Sequence, residues 1–509
     1  MEARNECDSA AYLTNSRTVR KAPQWYEAPM RRPSHLLLLA CALPVLAALG
    51  VASLGDYYFL DDYLFLWAKG LKPLEDWLSI GRPLTYLYLL FIQKSLLWTP
   101  AGARWVALAL LVLVVLGLRR VLDKPGTDPV AVHALALLPL TLYQTAVSVV
   151  WVNTGSTALA LLLATAAYHF MTQRRTGPTL LGLALLTLAF LTYQPAACLY
   201  FALLLLGVLL EGRAGPTRRE VLLFLGGAAS VVTAFLFTRV PPLLGYHSGW
   251  AGRSKLLENP GAKLQWLYSE VLPVASVPYF PPPPYVSALV GGLILFALVA
   301  GLIKGRAHGG EVLARSPFVF LLWALACLGA TYLPNLVVEE NFASARSMVA
   351  LAYGLLGLAA LGLNALVERA GLRTSSRFVL VLAPLVVLGL LNVQQVFRQI
   401  VQVQKREVEC VKADLVEGLA RGQERFVLVT PLVQPVTRSY HTYEFGWMSS
   451  SVPWGSTGLL RFSAALLGRN PDELSLTIAS EPTRAEGHPI DMRPCWQSLA
   501  QELGASARP

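Results

Sequence analysis

The sequence predicts an all-α polytopic membrane protein of about eleven transmembrane helices, followed by a small α/β or mixed globule at the C-terminal end. Three observations carry this. Of the 509 residues, 55% are hydrophobic and only 14% are charged, more apolar surface than a soluble chain can hide. Leu-, Ala- and Val-rich runs recur from Leu36 to Val396, many of them near the ~20 residues a helix needs to cross the hydrocarbon. The runs show no two-residue alternation, and in lipid each backbone group must pair within its own segment, so helices follow rather than a barrel.

The spans read as 35–54, 103–118, 130–150, 154–172, 178–192, 196–210, 221–238, 286–303, 317–333, 347–367 and 378–396. Residues 1–34 are polar and basic, too long and too mixed in charge for a signal-peptide start, and form a cytoplasmic tail before a retained first helix. With that tail inside, the inside loops carry Arg119, Arg120 and Lys124; Arg174 and Arg175; Arg213, Arg218 and Arg219; Lys304, Arg306 and Arg315; and Arg369, Arg373 and Arg377. The outside turns at 150–154 and 192–196 carry no Lys or Arg. The formal charge of +11 thus sets orientation, and with no nucleic-acid-binding motif present a nucleic-acid partner is excluded.

Leu84–Trp98 is too short to cross, at about 22 Å of helix. Were it a span, every later basic loop would face outward, so it lies at the outer surface or re-enters. Before it, Leu60, Tyr63, Leu64, Trp67, Leu71, Leu74, Trp77 and Leu78 repeat at helical spacing between charges, as in amphipathic helices lying in the interface. The first outer loop, 55–102, therefore hugs the membrane. A second, 239–285, contains Tyr246, His247, Trp250, Arg253, Lys255, Lys263 and the Pro281–Pro284 run, a stiff polyproline return. The transmembrane unit is 35–396 and the extracytoplasmic C-terminal domain 397–509, with a strand-like run at Phe426–Thr430. Cys7 is in the tail, and Cys41, Cys198 and Cys327 lie in apolar runs. Cys410 and Cys495 share the final domain, where a disulfide is chemically allowed if that domain is outside.

The chain has no Walker loop, dinucleotide fingerprint, HExxH or CxxC. Its candidates for chemistry are polar residues at the outer rim. Asp61 and Asp62 are adjacent carboxylates at a lipid interface, costly unless solvated or paired; one can serve as a general base, or either can cap the surface helix. Arg82, in Gly81-Arg82-Pro83-Leu84, and Arg104, which opens the next span, suit phosphate, with snorkelling to headgroups the alternative for Arg104. Tyr193 and Gln194, in Thr192-Tyr193-Gln194-Pro195, can bind a sugar, or Tyr193 can belong to the interfacial belt while Pro195 starts a helix. Trp151 and Asn153 occupy a similar turn. Glu339-Glu340-Asn341 and Arg346 can pair, hold a metal or position a phosphate, or complement a helix dipole. His247 alone means little.

The order of these features resembles the C-type glycosyltransferase superfamily, membrane enzymes that use lipid-linked sugars, and is most similar to the bacterial GtrII-like glucosyltransferases. A first helix is followed by Phe59-Leu60-Asp61-Asp62-Tyr63 and a surface helix, then Gly81-Arg82-Pro83-Leu84, Arg104 at the second helix, and Tyr193-Gln194-Pro195 at a later turn. The resemblance implies a polyprenyl-phosphate sugar donor, a cell-envelope glycan or lipid acceptor, and a place in the bacterial inner membrane. It implies an aspartate (Asp61 or Asp62) as general base and Arg82 and Arg346 as phosphate partners. Some relatives use a divalent metal; the chain shows no compelling metal site, and no other cofactor is implied. A glycan polymerase or ligase, relying on Arg253 and its loop, and a non-enzymatic lipid or solute transporter are the rival readings.

Overall fold

The computed structural model describes residues 35–59, 61–63, 73–95, 99–213, 215–246, 255–276, 284–307, 316–341, 344–430, 449–479 and 487–502. The amphipathic positions Leu60, Leu64, Trp67, Leu71 and Lys72, the loop residues His247, Trp250 and Arg253, most of the Pro281–Pro284 run and the tail with Cys7 lie outside the described residues.

The chain opens with α1 (His35–Ser53), α2 (Asp61–Tyr63), α3 (Leu74–Ser79) and α4 (Pro83–Lys94). Then come α5 (Pro100–Leu122), α6 (Pro129–Thr141), α7 (Tyr143–Val150), α8 (Ser156–Thr172), α9 (Thr176–Ala197), α10 (Leu199–Leu210) and α11 (Arg218–Phe237). The second loop contributes α12 (Val240–Leu243), α13 (Pro260–Trp266) and α14 (Leu272–Ser276). The membrane part closes with α15 (Pro284–Ala307), α16 (Pro317–Ala330), α17 (Leu333–Val337), α18 (Val349–Arg369) and α19 (Thr374–Val396). Each predicted span holds a helix. Among the described residues, seven helices are long and apolar enough to cross a membrane, and an eighth if the bent pair α6–α7 counts as one. Their outer faces leave Leu39, Leu43, Leu113, Leu225, Leu236, Leu289 and Val387 exposed, an apolar belt of the kind that lipid covers. The chain is a multi-pass membrane protein.

Helices α6, α10 and α18 form the centre; Leu199–Val208 is buried throughout. The predicted span 130–150 is broken at Leu142, where α6 and α7 meet at 44°. Pro139 lacks the N–H that would bond the Leu135 carbonyl, and Tyr353 donates its hydroxyl there instead, at 3.1 Å. At the break, Asn392 donates to the Thr141 carbonyl at 2.6 Å. Two partners on neighbouring helices thus satisfy what the proline and the bend release.

At one end of the bundle the predicted basic loops meet acidic partners: Lys124 bonds Glu211 at 2.7 Å, Lys304 bonds Glu368 at 2.6 Å, and Arg377 pairs with Asp128. The opposite end holds α2–α4. There α4 packs Thr85, Tyr88, Leu89 and Ile92 inward, as a short helix wedged beside α9.

The helix does not end at 396. It runs on through a π turn at Phe397–Val401 into α20 (Gln402–Ala420), a continuous helix of 47 residues from Thr374. Between Val396 and Gly418 there is neither Pro nor Gly, so the drop in hydropathy at 397 marks a change of surroundings and not a break in the backbone. Beyond it, β1 (Arg425–Val429), α21 (Pro453–Leu466), β2 (Ser475–Ala479), β3 (His488–Asp491) and α22 (Met492–Glu502) form a small α/β layer. The sheet order is β2-β1-β3, all parallel. Parallel strands need crossovers, and α21 supplies the one between β1 and β2. Cys410 of α20 and Cys495 of α22 form a disulfide, Cα to Cα 6.4 Å. A cross-link closing an 85-residue separation restricts the unfolded chain by about 4.6 kcal/mol in the loop-entropy picture.

The exposed residues Glu75, on α3 of the first loop, and Arg174, in a basic loop, test orientation. In intact cells, a membrane-impermeant maleimide should label Glu75→Cys and spare Arg174→Cys; the reverse pattern would invert the predicted topology.

Candidate active site

The site begins with a buried cation. Arg104, on the first turns of α5, has no solvent exposure. Its Nε donates to Val150 O at 3.0 Å, and its terminal nitrogens donate to Ser53 O at 3.3 Å, Gly55 O at 3.2 Å and Tyr57 O. Its guanidinium lies 3.5 Å from the centre of the Tyr57 ring. Ser53 and Val150 are the last residues of α1 and α7, whose terminal carbonyls lack helical partners and carry the negative end of the dipole. Arg104 therefore faces neither headgroup nor phosphate; it clamps two helix ends and the loop between them.

Asp62 mirrors it. The side chain is fully buried and accepts three backbone N–H groups: Asn153 at 2.7 Å, Val152 at 3.2 Å and Phe59 at 3.2 Å. The sequence left Asp62 open between general base and cap of the local surface helix. The carboxylate instead caps the 3₁₀ turn Val152–Thr154, 90 residues away. Burial pushes its pKa up to about 7, against the pull of the Asn153 N–H, Arg104 and the Phe59 N–H. Asp61, one residue earlier, is half-buried.

Between Val150 and Val152, Trp151 is completely buried, edge-on to Phe59 at 4.7 Å. The Arg346 guanidinium lies 4.2 Å from a Trp151 ring centre. The 150–153 turn thus carries Arg104 on one carbonyl, Asp62 on two N–H groups and Arg346 on its ring. The sequence named Trp151 and Asn153 only as residues of an outer turn; their contacts with Arg346 and Asp62 are tertiary.

The second cluster forms at a helix break. Pro195 cannot continue the ladder of α9, and Tyr193 adopts extended backbone, φ −153° and ψ 101°. Thr85 donates to the Thr192 carbonyl at 2.6 Å. The break brings Tyr193 and Gln194 out toward the first loop. The Gln194 amide donates to Ile80 O at 3.0 Å and Gly81 O at 2.8 Å, and its carbonyl oxygen accepts from Arg82 Nε at 2.9 Å. The Arg82 guanidinium stands 4.6 Å from the Tyr193 ring centre. Gly81 has φ +70°, which favours glycine, and a methyl group there would lie 2.7 Å from Gln194 Nε2 and displace that amide.

Arg82, Tyr193, Gln194 and Arg346 line one cavity of about 370 Å³. Asn335 and Glu340 add polar groups, and Ala228, Val231, Val232 and Phe235 of α11 form one wall. These four recur at helical spacing along one face. The rim is built by the second loop. The segments at Leu256 and Val338 pair as an antiparallel bridge, Lys255 bonds Glu339 at 2.8 Å, and buried Lys263 donates to Glu340 O and Asn341 Oδ1, each at 2.8 Å. Of the predicted acidic set, Glu339 and Asn341 are thus rim ties, and Glu340 lines the cavity. Among the described residues, no group of three His, Cys, Asp or Glu side chains is arranged to hold a metal ion.

No family model and no curated protein matches this chain. Among solved structures it is similar to the crystal structure of ArnT from Cupriavidus metallidurans bound to undecaprenyl phosphate. The identity is 11%, the alignment covers 87% of this chain and 89% of that chain, and the TM-score is 0.44.

Two outcomes follow from the geometry. Arg104→Ala removes the donor from four carbonyls, at about 1–3 kcal/mol for each left unsatisfied; detergent thermal-shift assays should show a much larger fall in Tm than for Arg346→Ala. For Asp62, the folded-state pKa of about 7 lies above the ordinary carboxylate value of 3.8. Its ionisation therefore opposes folding from about pH 4 upward, with the full effect reached near pH 7. The Tm of the wild type should fall across that window, and that of Asp62→Asn less steeply.

Proposed function

We propose that this protein is a C-type membrane glycosyltransferase that moves a sugar from a polyprenyl-phosphate donor to a hydroxyl of an envelope glycan or lipid. The observation that carries the reading is the convergence of Arg82 and Arg346 on one cavity whose far wall is the apolar face of α11. A lipid phosphate has that same division, an anionic head joined to a hydrocarbon tail. The sequence resemblance supports the same reading, and Arg82, Tyr193 and Gln194 are among the residues that carry it.

In this reading Asp61 is the general base and Asp62 the positioning residue beside it, held by three backbone N–H groups. Asp61 takes the proton from the acceptor hydroxyl. The oxygen attacks the anomeric carbon, the bond from that carbon to the phosphate oxygen breaks, and polyprenyl phosphate leaves. Arg82 and Arg346 stabilise the charge that grows on the phosphate, with Gln194 and Trp151 fixing their orientation. Positive-inside topology and the Cys410–Cys495 disulfide, a bond of oxidising compartments, support an outer-face reaction in a bacterial inner membrane.

Asp61→Asn should cut transfer by about 10²–10⁴-fold, as loss of a general base does. Transfer is read by mass spectrometry of envelope glycans and lipids with and without the variant. Binding of ³²P-labelled C55 polyprenyl phosphate in nanodiscs should persist in Asp61→Asn. It should weaken about tenfold or more in Arg82→Ala and Arg346→Ala, the value of a charge-assisted contact. Full transfer by Asp61→Asn would reject the base, and unchanged carrier binding in both arginine variants would reject the cavity.

A further inference from the structure

The C-terminal α/β layer touches the first loop directly. On α21, Gly458 and Phe462 lie one turn apart and face α2. Phe462 is buried between two rings, 5.0 Å from Tyr58 and 6.0 Å from Tyr63, which are themselves 5.8 Å apart. Tyr58 N–H donates to the Tyr63 hydroxyl at 3.3 Å, closing the loop on either side of Asp61 and Asp62. Gly458 lies under this knot. A methyl group there would stand 2.2 Å from the Tyr63 carbonyl oxygen and 2.6 Å from its carbonyl carbon. Backbone, not a side chain that can swing away, occupies the space.

What holds α21 in place is equally specific. Buried Glu407 of α20 accepts the N–H groups of Ser449 and Ser450, each at 2.7 Å, and Gln404 accepts from the Ser449 hydroxyl at 2.5 Å. Ser456 donates to Ser450 O at 2.8 Å and Val452 O at 2.9 Å, tying that turn to the first turn of α21. Since α20 continues the last membrane helix, a rigid path runs from the membrane through Glu407 and α21 to Tyr63. The Cys410–Cys495 bridge lies one turn beyond Glu407 and fastens α22 to the same helix.

We infer that the C-terminal layer is a working part of the transferase site: through Gly458 and Phe462 it positions the loop that presents Asp61. This rests on Asp61 being the base. Gly458 and Phe462 are positioning residues; they act through Tyr63 and touch no substrate in this reading. The donor cavity takes Ile80 and Arg82 from the far end of the first loop but no residue of α2, and its other walls are α9, α11 and α17 with Glu340 and Arg346, so carrier binding and transfer should come apart when the contact between α21 and α2 is disturbed.

The test uses the full-length protein with Gly458→Ala, Phe462→Leu, Phe462→Tyr and Asp61→Asn. Transfer is read by envelope mass spectrometry at matched expression, and binding with ³²P-labelled C55 polyprenyl phosphate in nanodiscs. Gly458→Ala should lose transfer about a hundredfold, the cost of a misplacement near 1 Å, while carrier affinity and the number of binding sites stay near wild type. Phe462→Leu should fall about tenfold, and Phe462→Tyr, which keeps the ring, should restore most of the activity. Should Gly458→Ala not fold, the Phe462 pair decides. Transfer retained by Phe462→Leu, or carrier binding lost in step with transfer in both Phe462 variants, overturns the inference. Transfer retained by Asp61→Asn overturns the base assignment itself, and so is told apart from a failure of positioning alone.

Discussion

Everything at the Asp61 end of this molecule depends on one buried guanidinium. Arginine does not deprotonate in proteins, so Arg104 keeps its charge inside the fold and must be matched by fixed dipoles. The match is two helix C-termini, a loop carbonyl on either side of Asp56, and an aromatic face. The partners come from two distant stretches of chain, Ser53–Tyr57 and Val150, so the cation sets where α1 stops, how the first loop leaves it and where α7 ends. The three N–H groups on Asp62 then define the other side of the same turn. A cation on carbonyls and an anion on N–H groups, a few residues apart, complete the hydrogen bonding of irregular backbone that lipid would leave unsatisfied.

Proline supplies the second constraint. Pro139 and Pro195 both interrupt helices inside the bundle, and in each case hydrogen bonds from a neighbouring helix satisfy the released carbonyls. At Pro139 the consequence is a bend in the core. At Pro195 it is functional in the proposed reading, because the break points Tyr193 and Gln194 at Arg82. The two ends of the bundle then use charge differently. Basic residues at one end are matched by carboxylates from other loops. Arg82 and Arg346 sit over aromatic rings beside a cavity, and the ring faces help to orient the two guanidinium groups.

Much of the fold was legible because lipid imposes a simple rule on composition. The helical segments of the membrane part, and the shortness of the one at Pro83–Lys94, could be read from apolar length. The strand at Phe426–Thr430 and the Cys410–Cys495 pair could be anticipated as local or chemical options. The end of the last helix could not be placed, because polarity changes at 397 while the backbone meets no breaker until Gly418. At the site, Arg82, Tyr193, Gln194 and Arg346 were visible as polar residues at a rim, and they meet. Arg104 and Asp62 were visible for the same reason, and the structure puts both into the frame. Residue type and rim position cannot distinguish a side chain that faces a cavity from one that faces orphaned carbonyls or N–H groups.

The sequence by itself determined that this chain is helical, crosses a membrane many times, and gathers its basic loops at one end. Those properties follow from hydrocarbon length, backbone pairing and charge, all of them local or additive along the chain. Only the tertiary structure decided which carboxylate is locked and which is half-exposed, which arginines share a cavity, and that the C-terminal layer buttresses the first loop. Those depend on groups 40 to more than 300 residues apart approaching within hydrogen-bonding or ring-contact distance, and sequence spacing carries no information about such meetings.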